Sequence, residues 1–274
     1  MKKKLFAIIG NPIAHSLSPV LHKYWLEKYN IDGDYSLLNE KEENLKNIIQ
    51  SIRTGELSGI NVTLPYKQKI IPFVDKLIND AKSTNSVNTI YLDDTNIIVG
   101  ENTDVFGLQA AYLKEINNTE NKKALVIGAG GVSSSVIFSL IKSKVKNISI
   151  VNRTYEKSLF LKKKFSFLTV LEWKFLPKKI SEFDIIINAT SLGLKDGEDF
   201  DFDFSNTKTG VVYIDTIYNP LETKTLKFLK KNNIRTFNGL EMFIYQGQKS
   251  FYLWNKINPE IDEKLINLLH SKLR

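Results

Sequence analysis

The sequence predicts an α/β protein of two domains, and three observations support this prediction. Short apolar runs typical of buried strands alternate with amphipathic segments of helical length. A glycine-rich turn that begins at Gly128 stands between one such run and the helix that follows. The polar stretch Asn117–Lys123 is typical of a surface connection. We therefore expect an N-terminal α/β domain from residues 1–106 with 241–274, and a Rossmann-like domain from 107–240, with parallel sheets and right-handed crossovers.

In the N-terminal part, apolar spacing and local punctuation define the elements. Ser18-Pro19 opens a helix because proline fits the first helical turn, and Gly55 follows the end of the next helix. The segment D-D-T-N at 93–96 is typical of a hairpin turn. The predicted elements are strand Leu5–Ile9, helix Leu17–Tyr29, strand Tyr35–Leu38, helix Glu42–Thr54, strand Gly59–Thr63, and the hairpin strands Ser86–Leu92 and Ile97–Glu101.

The remainder of the chain repeats strand and helix and then ends in helical segments. The predicted strands are Lys123–Ile127, Asn147–Val151, Phe183–Asn188, Val211–Asp215 and Arg235–Phe237. The predicted helices are Val132–Ser143, Tyr155–Phe165, Leu221–Lys231, Met242–Trp254 and Pro259–Leu273.

The composition excludes several classes of function. The 274 residues contain no cysteine, which rules out disulfides, thiolate catalysis and cysteine-ligated metals, and we expect no metal site. The net charge of +8 comes from scattered lysines without interleaved aromatics, so we expect no nucleic-acid partner. The first apolar run is too short for a signal peptide, and no segment has the length of a membrane span. The absence of cysteine fits a reducing cytoplasm, where we expect this protein, and both a monomer and a homodimer stay open.

The turn after Ile127 matches the dinucleotide-binding pattern G-x-G-x-x-small. Gly128 permits the tight turn, Gly130 lets the backbone approach a pyrophosphate, and Ser133 is small enough for helix–strand packing. Because a strand precedes the pattern and a helix follows it, dinucleotide binding is favoured over a purely structural glycine turn. The predicted cofactor-binding residues of this turn are Gly128, Ala129, Gly130, Gly131, Val132 and Ser133.

The end of the next strand indicates which dinucleotide binds. An NAD site usually has an acidic residue here for the ribose hydroxyls. This chain instead has Asn152-Arg153-Thr154, with Lys157 one turn later. A guanidinium suits a ribose 2′-phosphate, so the sequence predicts NADP(H) rather than NAD(H).

A lysine and an aspartate mark a second candidate site in the N-terminal part. Lys67 lies just beyond a strand that Pro65 terminates, and Asp104 ends the loop E-N-T-D. Such a pair beside a nicotinamide would suit acid–base chemistry.

Other polar residues lie near predicted strand ends, where ligands gather in α/β sheets. Thr63 and Asn88 lie at or just after strand-like runs, although Asn88 alone could equally be a turn residue. Ser16 and Ser18 could point both hydroxyls one way, or they could simply cap a helix. Together these groups would suit a polyhydroxylated acid.

Eight motifs occur in order along nearly the whole chain: H-S-L-S-P, N-V-T-L-P-Y-K, N-S-V-N-T, N-T-D, G-A-G-G, N-R-T, N-A-T-S-L-G and N-G-L-E-M-F-I-Y-Q-G. In combination they resemble the shikimate dehydrogenase family. That family reduces 3-dehydroshikimate to shikimate with NADPH, in the route to chorismate and the aromatic amino acids.

The resemblance implies roles for individual residues. Lys67 and Asp104 would be the catalytic pair at the reacting C3 oxygen. Ser16, Ser18 and Tyr218 would hold the substrate carboxylate, and Thr63, Asn88 and Gln246 would contact the ring. The cofactor would lie on the turn 128–133, with Asn152, Arg153, Thr154 and Lys157 at the adenosine phosphate. Thr190, Tyr218 and Gly239 would lie near the nicotinamide.

The chain also departs from the family pattern. Val105 and Ser134 replace a common glycine and a common arginine, and Lys157 replaces a frequent arginine, so phosphate binding would depend more on Arg153. Two alternatives stay open: a bifunctional quinate/shikimate dehydrogenase, and a non-catalytic NADP or metabolite sensor on the same fold. His15 and His22 are weaker candidates for proton donors than Lys67.

Overall fold

The computed structural model describes residues 3–195 and 197–273, and the chain divides into two compact units. The first unit comprises the residues up to Gly107 together with Ile244–Lys272, and the second comprises Leu108–Phe243. Within the described residues, each unit contains one six-stranded sheet.

The elements of the N-terminal part are, in chain order, β1 (Lys4–Gly10), α1 (Ser18–Lys28), β2 (Gly33–Asn39), α2 (Leu45–Arg53), β3 (Gly59–Val62), β4 (Lys76–Leu77), α3 (Asn79–Thr84), β5 (Thr89–Leu92), β6 (Ile98–Glu101) and α4 (Asp104–Ala111). The elements that follow are β7 (Lys123–Ile127), α5 (Ser133–Lys142), β8 (Asn147–Val151), α6 (Tyr155–Lys164), β9 (Thr169–Leu171), α7 (Leu176–Lys179), β10 (Ile185–Asn188), β11 (Val212–Asp215), α8 (Lys224–Lys231), β12 (Arg235–Phe237), α9 (Leu240–Asn255) and α10 (Glu263–His270).

The sheet of the first unit is mixed, so the prediction of a parallel sheet is wrong there. Its strand order is β2-β1-β3-β5-β6-β4, and β5 runs antiparallel to both β3 and β6. The reversal arises from the predicted β5–β6 hairpin. In this register Thr89 lies opposite both Asn61 and Glu101. The carboxyl ends of β3 and β6 therefore share one edge of the sheet with the amino end of β5.

The sheet of the second unit is parallel throughout and Rossmann-like, as predicted. Its order is β12-β11-β10-β7-β8-β9. The chain therefore adds β8 and β9 on one side of β7 and then adds β10, β11 and β12 on the other side. Ligands of such sheets bind outside the carboxyl ends of the strands, at the point where the order reverses. The strand β7 ends at this point, directly before Gly128.

Each unit has its own apolar core. In the first, Ile9, Ile60 and Ile90 from three neighbouring strands are fully buried and pack with α2. In the second, Leu125 of β7 and Ile186 of β10 are paired in register on neighbouring strands and belong to the buried core. Strands covered on both faces lack polar alternation, which is why they appear as continuous apolar runs in the sequence.

Several boundaries differ from the prediction because capping residues decide them. The helix predicted from Pro259 begins at Glu263, where the Asp262 carboxylate accepts the Leu265 N–H at 2.8 Å. The helix predicted from Leu221 begins at Lys224, after Thr223 caps the Leu226 N–H. The helix α4 and the short elements β4, α3, β9 and α7 were not predicted. Within the described residues, no helix has the length and apolar character needed to cross a membrane.

Candidate active site and dinucleotide site

Lys67 and Asp104 form a buried ion pair in the first unit. The distance from Lys67 Nζ to Asp104 Oδ2 is 2.6 Å, and the two side chains are only 10% and 7% exposed. Burying two charges costs free energy that their attraction offsets only with good geometry and further hydrogen bonds. The pair is therefore a candidate for a site that uses both charges.

The turn after β3 fixes the backbone around Lys67. The Thr63 carbonyl accepts the Tyr66 N–H at 2.9 Å, and the Lys67 carbonyl accepts the Val87 N–H at 2.8 Å. Tyr66 is itself buried, and its hydroxyl donates to the Glu40 carbonyl at 2.6 Å. The ammonium group is thus carried by a turn that is anchored on both sides.

Asp104 is held by its own backbone and by a neighbouring amide. It is the first residue of α4, and its N–H donates to Asn102 Oδ1 at 3.1 Å. Its Oδ1 accepts a hydrogen bond from Asn88 Nδ2 at 2.8 Å, which leaves Oδ2 facing Lys67. The partial positive charge of a helix N-terminus also interacts favourably with a carboxylate.

Asn88 is a buried residue of the site and not a surface turn residue. It is 3% exposed and immediately precedes β5, although the sequence suggested a position at or after a strand end. It reaches the edge shared with Lys67 because β5 runs antiparallel. Its Oδ1 accepts the Thr103 N–H at 2.7 Å, and its Nδ2 also lies 3.4 Å from Gln246 Oε1.

A layer of buried polar residues under Asn88 was not assigned a role from the sequence. Asn61 donates to the Asn88 carbonyl at 3.0 Å and to Ser250 Oγ at 3.1 Å. Its Oδ1 accepts the Tyr35 hydroxyl at 2.7 Å. The only sequence signal was a polar residue inside an apolar strand. These contacts tie α9 to the sheet edge that carries Asn88.

Ser16 and Ser18 lie together before and at the start of α1. Their hydroxyl oxygens are 3.1 Å apart, and Ser16 Oγ also accepts the Ser18 N–H at 3.2 Å. The hydroxyls therefore converge, as one interpretation predicted, whereas the helix-capping interpretation is wrong because the N-cap is Leu17, without a side-chain cap. Thr63 is half-buried and packs against Gly10, where an added Cβ would lie 2.5 Å from Thr63 Cγ2.

His22 is buried among aromatic rings and is unsuited to donate a proton at neutral pH. Its ring stacks on Tyr35 with 4.5 Å between centroids, and it is 1% exposed. Within the described residues, neither ring nitrogen has a hydrogen-bond partner. Burial lowers the pKa of His22 to about 3.

The glycine-rich turn of the second unit has the shape that the sequence predicted. Gly128 has φ of +112°, and a Cβ there would lie 2.7 Å from Thr190 Cγ2, so only glycine fits. A Cβ at Gly130 would meet nothing closer than the Ala189 carbonyl oxygen at 3.8 Å, which leaves space for a ligand against the backbone. Ser133 is fully buried and its Oγ accepts the Gly130 N–H at 2.9 Å.

The end of β8 fits a dinucleotide that carries an additional phosphate. Asn152 Oδ1 accepts the Ala129 N–H at 3.1 Å, and its Nδ2 donates to the Thr154 carbonyl, which ties this strand end to the turn. Arg153 and Lys157 are exposed, and within the described residues neither forms an ion pair. Two available cations without an acid in the segment 152–155 fit the ribose phosphate of NADP.

The remaining predicted cofactor residues lie in the loops at the same edge of the sheet. Thr190 Oγ1 donates to Asn188 Oδ1 at 2.7 Å. Gly239 packs against the chain after β11, where a Cβ would lie 2.4 Å from the Thr216 carbonyl oxygen. Tyr218, predicted at both the substrate and the nicotinamide, belongs to the second unit and stacks on Phe243 with 4.6 Å between centroids.

Comparisons with known proteins identify the family of this chain. Residues 8–90 match the family model "Shikimate dehydrogenase substrate binding domain", and residues 111–195 match "Shikimate / quinate 5-dehydrogenase". A protein of Pelagibacter ubique (strain HTCC1062) named Shikimate dehydrogenase (NADP(+)) is 46% identical over 269 residues, which cover 97% of this chain and 99% of that protein.

Solved structures give the same result. A crystal structure of a shikimate dehydrogenase in complex with NADP+ is 34% identical, with a TM-score of 0.90 and coverage of 99% of this chain and 96% of that one. The Thermus thermophilus shikimate 5-dehydrogenase in complex with NADP(H) and shikimate is 29% identical, with a TM-score of 0.87 and coverage of 98% and 100%. The chain therefore belongs to the shikimate dehydrogenase family.

Proposed function

We propose that this chain is an NADP-dependent shikimate dehydrogenase, which interconverts 3-dehydroshikimate and shikimate in the cytoplasmic route to chorismate. The observation that carries the proposal is the buried Lys67–Asp104 pair with its 2.6 Å contact. The family relationship and the fit of the second unit to NADP support it. When bound, NADP accepts or delivers the hydride at the reacting carbon.

In this proposal Lys67 and Asp104 transfer the proton to and from the C3 oxygen. In the direction of reduction that oxygen gains negative charge, and the Lys67 ammonium donates a hydrogen bond and then the proton. Asp104 orients the ammonium and, in the direction of oxidation, helps to accept the proton from the hydroxyl. General acid–base assistance of this kind is worth about 10²–10⁴-fold in rate.

The other predicted residues would bind and orient the substrate and the cofactor. In the first unit, Ser16 and Ser18 would hold the substrate carboxylate, and Thr63 and Gln246 would contact the ring. Asn88 would contact the ring as well, but its hydrogen bonds to Asp104 and Thr103 support a role in holding Asp104 more directly. On the cofactor side, the turn 128–133 would bind the pyrophosphate, with Asn152, Arg153, Thr154 and Lys157 at the 2′-phosphate and Thr190 and Gly239 at the nicotinamide.

The test is an assay of the purified chain with shikimate or quinate as substrate and NADP+ or NAD+ as cofactor. We expect the fastest formation of reduced cofactor with shikimate and NADP+. The Lys67→Met variant, purified in the same way, controls for activity from the expression host. The absence of turnover with shikimate would contradict the proposal, and comparable turnover with quinate would favour the bifunctional quinate/shikimate alternative.

A further inference from the structure

Asp215 is a buried carboxylate to which the proposed function gives no role. It is the last residue of β11 and is fully buried. Among the described residues no lysine or arginine forms an ion pair with it. Its hydrogen-bond partners are neutral donors: Asn188 Nδ2 at 3.1 Å, the Ile217 N–H at 3.0 Å and Thr223 Oγ1 at 3.1 Å. Burying a carboxylate without a cation costs free energy of folding, so we expect Asp215 to have a function that offsets this cost.

One set of these contacts controls the loop that follows β10. Asp215 Oδ1 accepts the Ile217 N–H, so it faces Asn188 as an acceptor whether or not the other carboxyl oxygen carries a proton, and the Asn188 amide turns its Nδ2 toward β11. The Asn188 Oδ1 then faces the loop, where it accepts the Thr190 N–H at 3.0 Å and the Thr190 hydroxyl at 2.7 Å. Thr190 Oγ1 in turn accepts the Leu192 N–H at 3.0 Å. The orientation of one amide thus fixes this loop.

A second set of contacts controls the loop that follows β11. The Asp215 carboxylate accepts the Ile217 N–H within this loop and the Thr223 hydroxyl at its far end. Thr223 also packs against the first loop, since a Cβ at Gly193 would lie 3.0 Å from Thr223 Cγ2. Asp215 therefore contacts the loop after β11 directly and is linked to the loop after β10 through Asn188.

The loop after β10 lies beside the glycine-rich turn, and the loop after β11 packs against Gly239, which is predicted to lie near the nicotinamide. Thr190 is so close to the glycine-rich turn that a Cβ at Gly128 would lie 2.7 Å from Thr190 Cγ2. We propose that Asp215 is a positioning residue that holds the loops after β10 and β11 in the arrangement that binds NADP. The inference rests on the proposed NADP site of this unit.

The test compares Asp215→Ala and Asp215→Asn with a control at the other end of the same sheet. Asp184 immediately precedes β10, accepts the Lys123 N–H at 2.7 Å and pairs with Lys208 at 2.8 Å. Asp184→Ala therefore removes comparable contacts far along the strand from the loops. Two quantities are measured below the unfolding temperature: the Kd of NADP+ by calorimetry, and amide hydrogen exchange at Thr190, Leu192 and Ile217 in the cofactor-free protein.

We expect Asp215→Ala to weaken NADP+ binding about tenfold or more and to accelerate exchange at the three amides. Asp215→Asn keeps the shape and Oδ1 as an acceptor, so its Kd should stay within about threefold of the wild type. Asp184→Ala should lower the unfolding temperature but leave the Kd and the loop exchange unchanged. Loss of stability in both alanine variants with an unchanged Kd would show a purely structural role and would overturn the inference.

A second variant and the measurements on the wild type distinguish failure of this inference from failure of the proposed function. If Asp215→Ala does not fold, Thr223→Val removes one donor to Asp215, and an unchanged Kd and unchanged Ile217 exchange would contradict the inference. If the wild-type chain does not bind NADP+ at all, the proposed function fails and this inference fails with it. If the wild type binds NADP+ but lacks shikimate activity, the proposed reaction fails while the Kd measurement still decides the role of Asp215.

Discussion

The two units bury carboxylates in different ways. In the first, Asp104 faces the Lys67 ammonium at 2.6 Å. In the second, the described partners of Asp215 are all neutral, and burial raises the pKa of Asp215 to about 7. The partner of Asp104 is a lysine that the proposed function assigns to proton transfer, whereas the partners of Asp215 are an amide, a backbone N–H and a hydroxyl that belong to a strand end and a loop. The proposed roles differ accordingly: proton transfer in the first unit and loop positioning in the second.

The largest expected effect comes from removing the cation of the first unit. Lys67→Met keeps a long apolar stem but removes the proton donor, so kcat should fall by about 10²–10⁴-fold. The KM for shikimate and the Kd of NADP+ should change little, because the proposed role is in proton transfer. Steady-state kinetics with both substrates measure this difference.

Lys69→Met is the matched control for that variant. Lys69 lies two residues along the same turn, but it is exposed and pairs with Glu42. Its replacement should leave kcat nearly unchanged. If Lys67→Met retained a wild-type kcat and only KM rose, Lys67 would be a binding residue and the contrast between the units would disappear.

The second prediction concerns the effect of pH on stability through Asp215. Its pKa is about 7 in the folded chain, whereas the ordinary aspartate value of 3.8 applies to the unfolded chain. Between these values the folded state holds a proton that the unfolded state has lost, so stability falls as pH rises. The free energy of unfolding of the wild type, relative to Asp215→Asn, should rise by roughly 3 kcal/mol from pH 8 to pH 5.

Urea unfolding of both proteins across this pH range measures that difference. Asp184→Ala serves again as a control, because partial burial of Asp184 is outweighed by the Lys208 ammonium and by backbone hydrogen bonding, which lower its pKa. A difference between wild type and Asp215→Asn that did not vary with pH would mean that Asp215 stays ionised in the folded chain.

The third prediction has the opposite sign and arises in the first unit. The pKa of His22 is lowered from 6.5 to about 3, so the unfolded state binds a proton that the folded state excludes. Stability should therefore fall as pH drops below 6.5, by roughly 2 kcal/mol at pH 5. His22→Phe keeps a ring against Tyr35 and should remove this loss. The same urea series measures it, and an acid sensitivity equal to that of the wild type would contradict the assignment to His22.

The same contrast explains what the sequence could predict. The proximity of Lys67 and Asp104 and the turn at Gly128 were predicted because each follows a strand and belongs to a motif with definite spacing. Asp215 and Asn61 were given no role because a single polar residue in or after an apolar strand looks the same whether its partner is water, a loop or another strand. Their partners depend on the register between strands, and neither periodicity nor a motif in the sequence indicates that register.

Asn88 shows the same difficulty in another form. The hairpin that contains β5 and β6 was predicted, but its antiparallel pairing with β3 was not, and that pairing brings the amino end of β5 to the site. The short elements β4, α3 and β9 contain too few residues to show a periodicity. What the sequence predicted well were therefore the long periodic segments and the motifs with fixed spacing.

The smallest predicted effect concerns an exposed charge of the second unit. Arg153 is exposed at the end of β8, where water and salt weaken its interaction with a phosphate compared with the buried pair of the first unit. Arg153→Ala should raise the KM for NADPH by only about tenfold, near the lower limit for a hydrogen bond to a charged group. The KM for NADH, which lacks the 2′-phosphate, should not change. Arg235→Ala is the control, since Arg235 lies in the same unit but pairs with Glu115 at 2.9 Å. Equal KM values for NADPH and NADH in the wild type would show that neither Arg153 nor Lys157 recognises the phosphate, and the contrast between exposed cations at the dinucleotide site and the buried pair of the first unit would then fail.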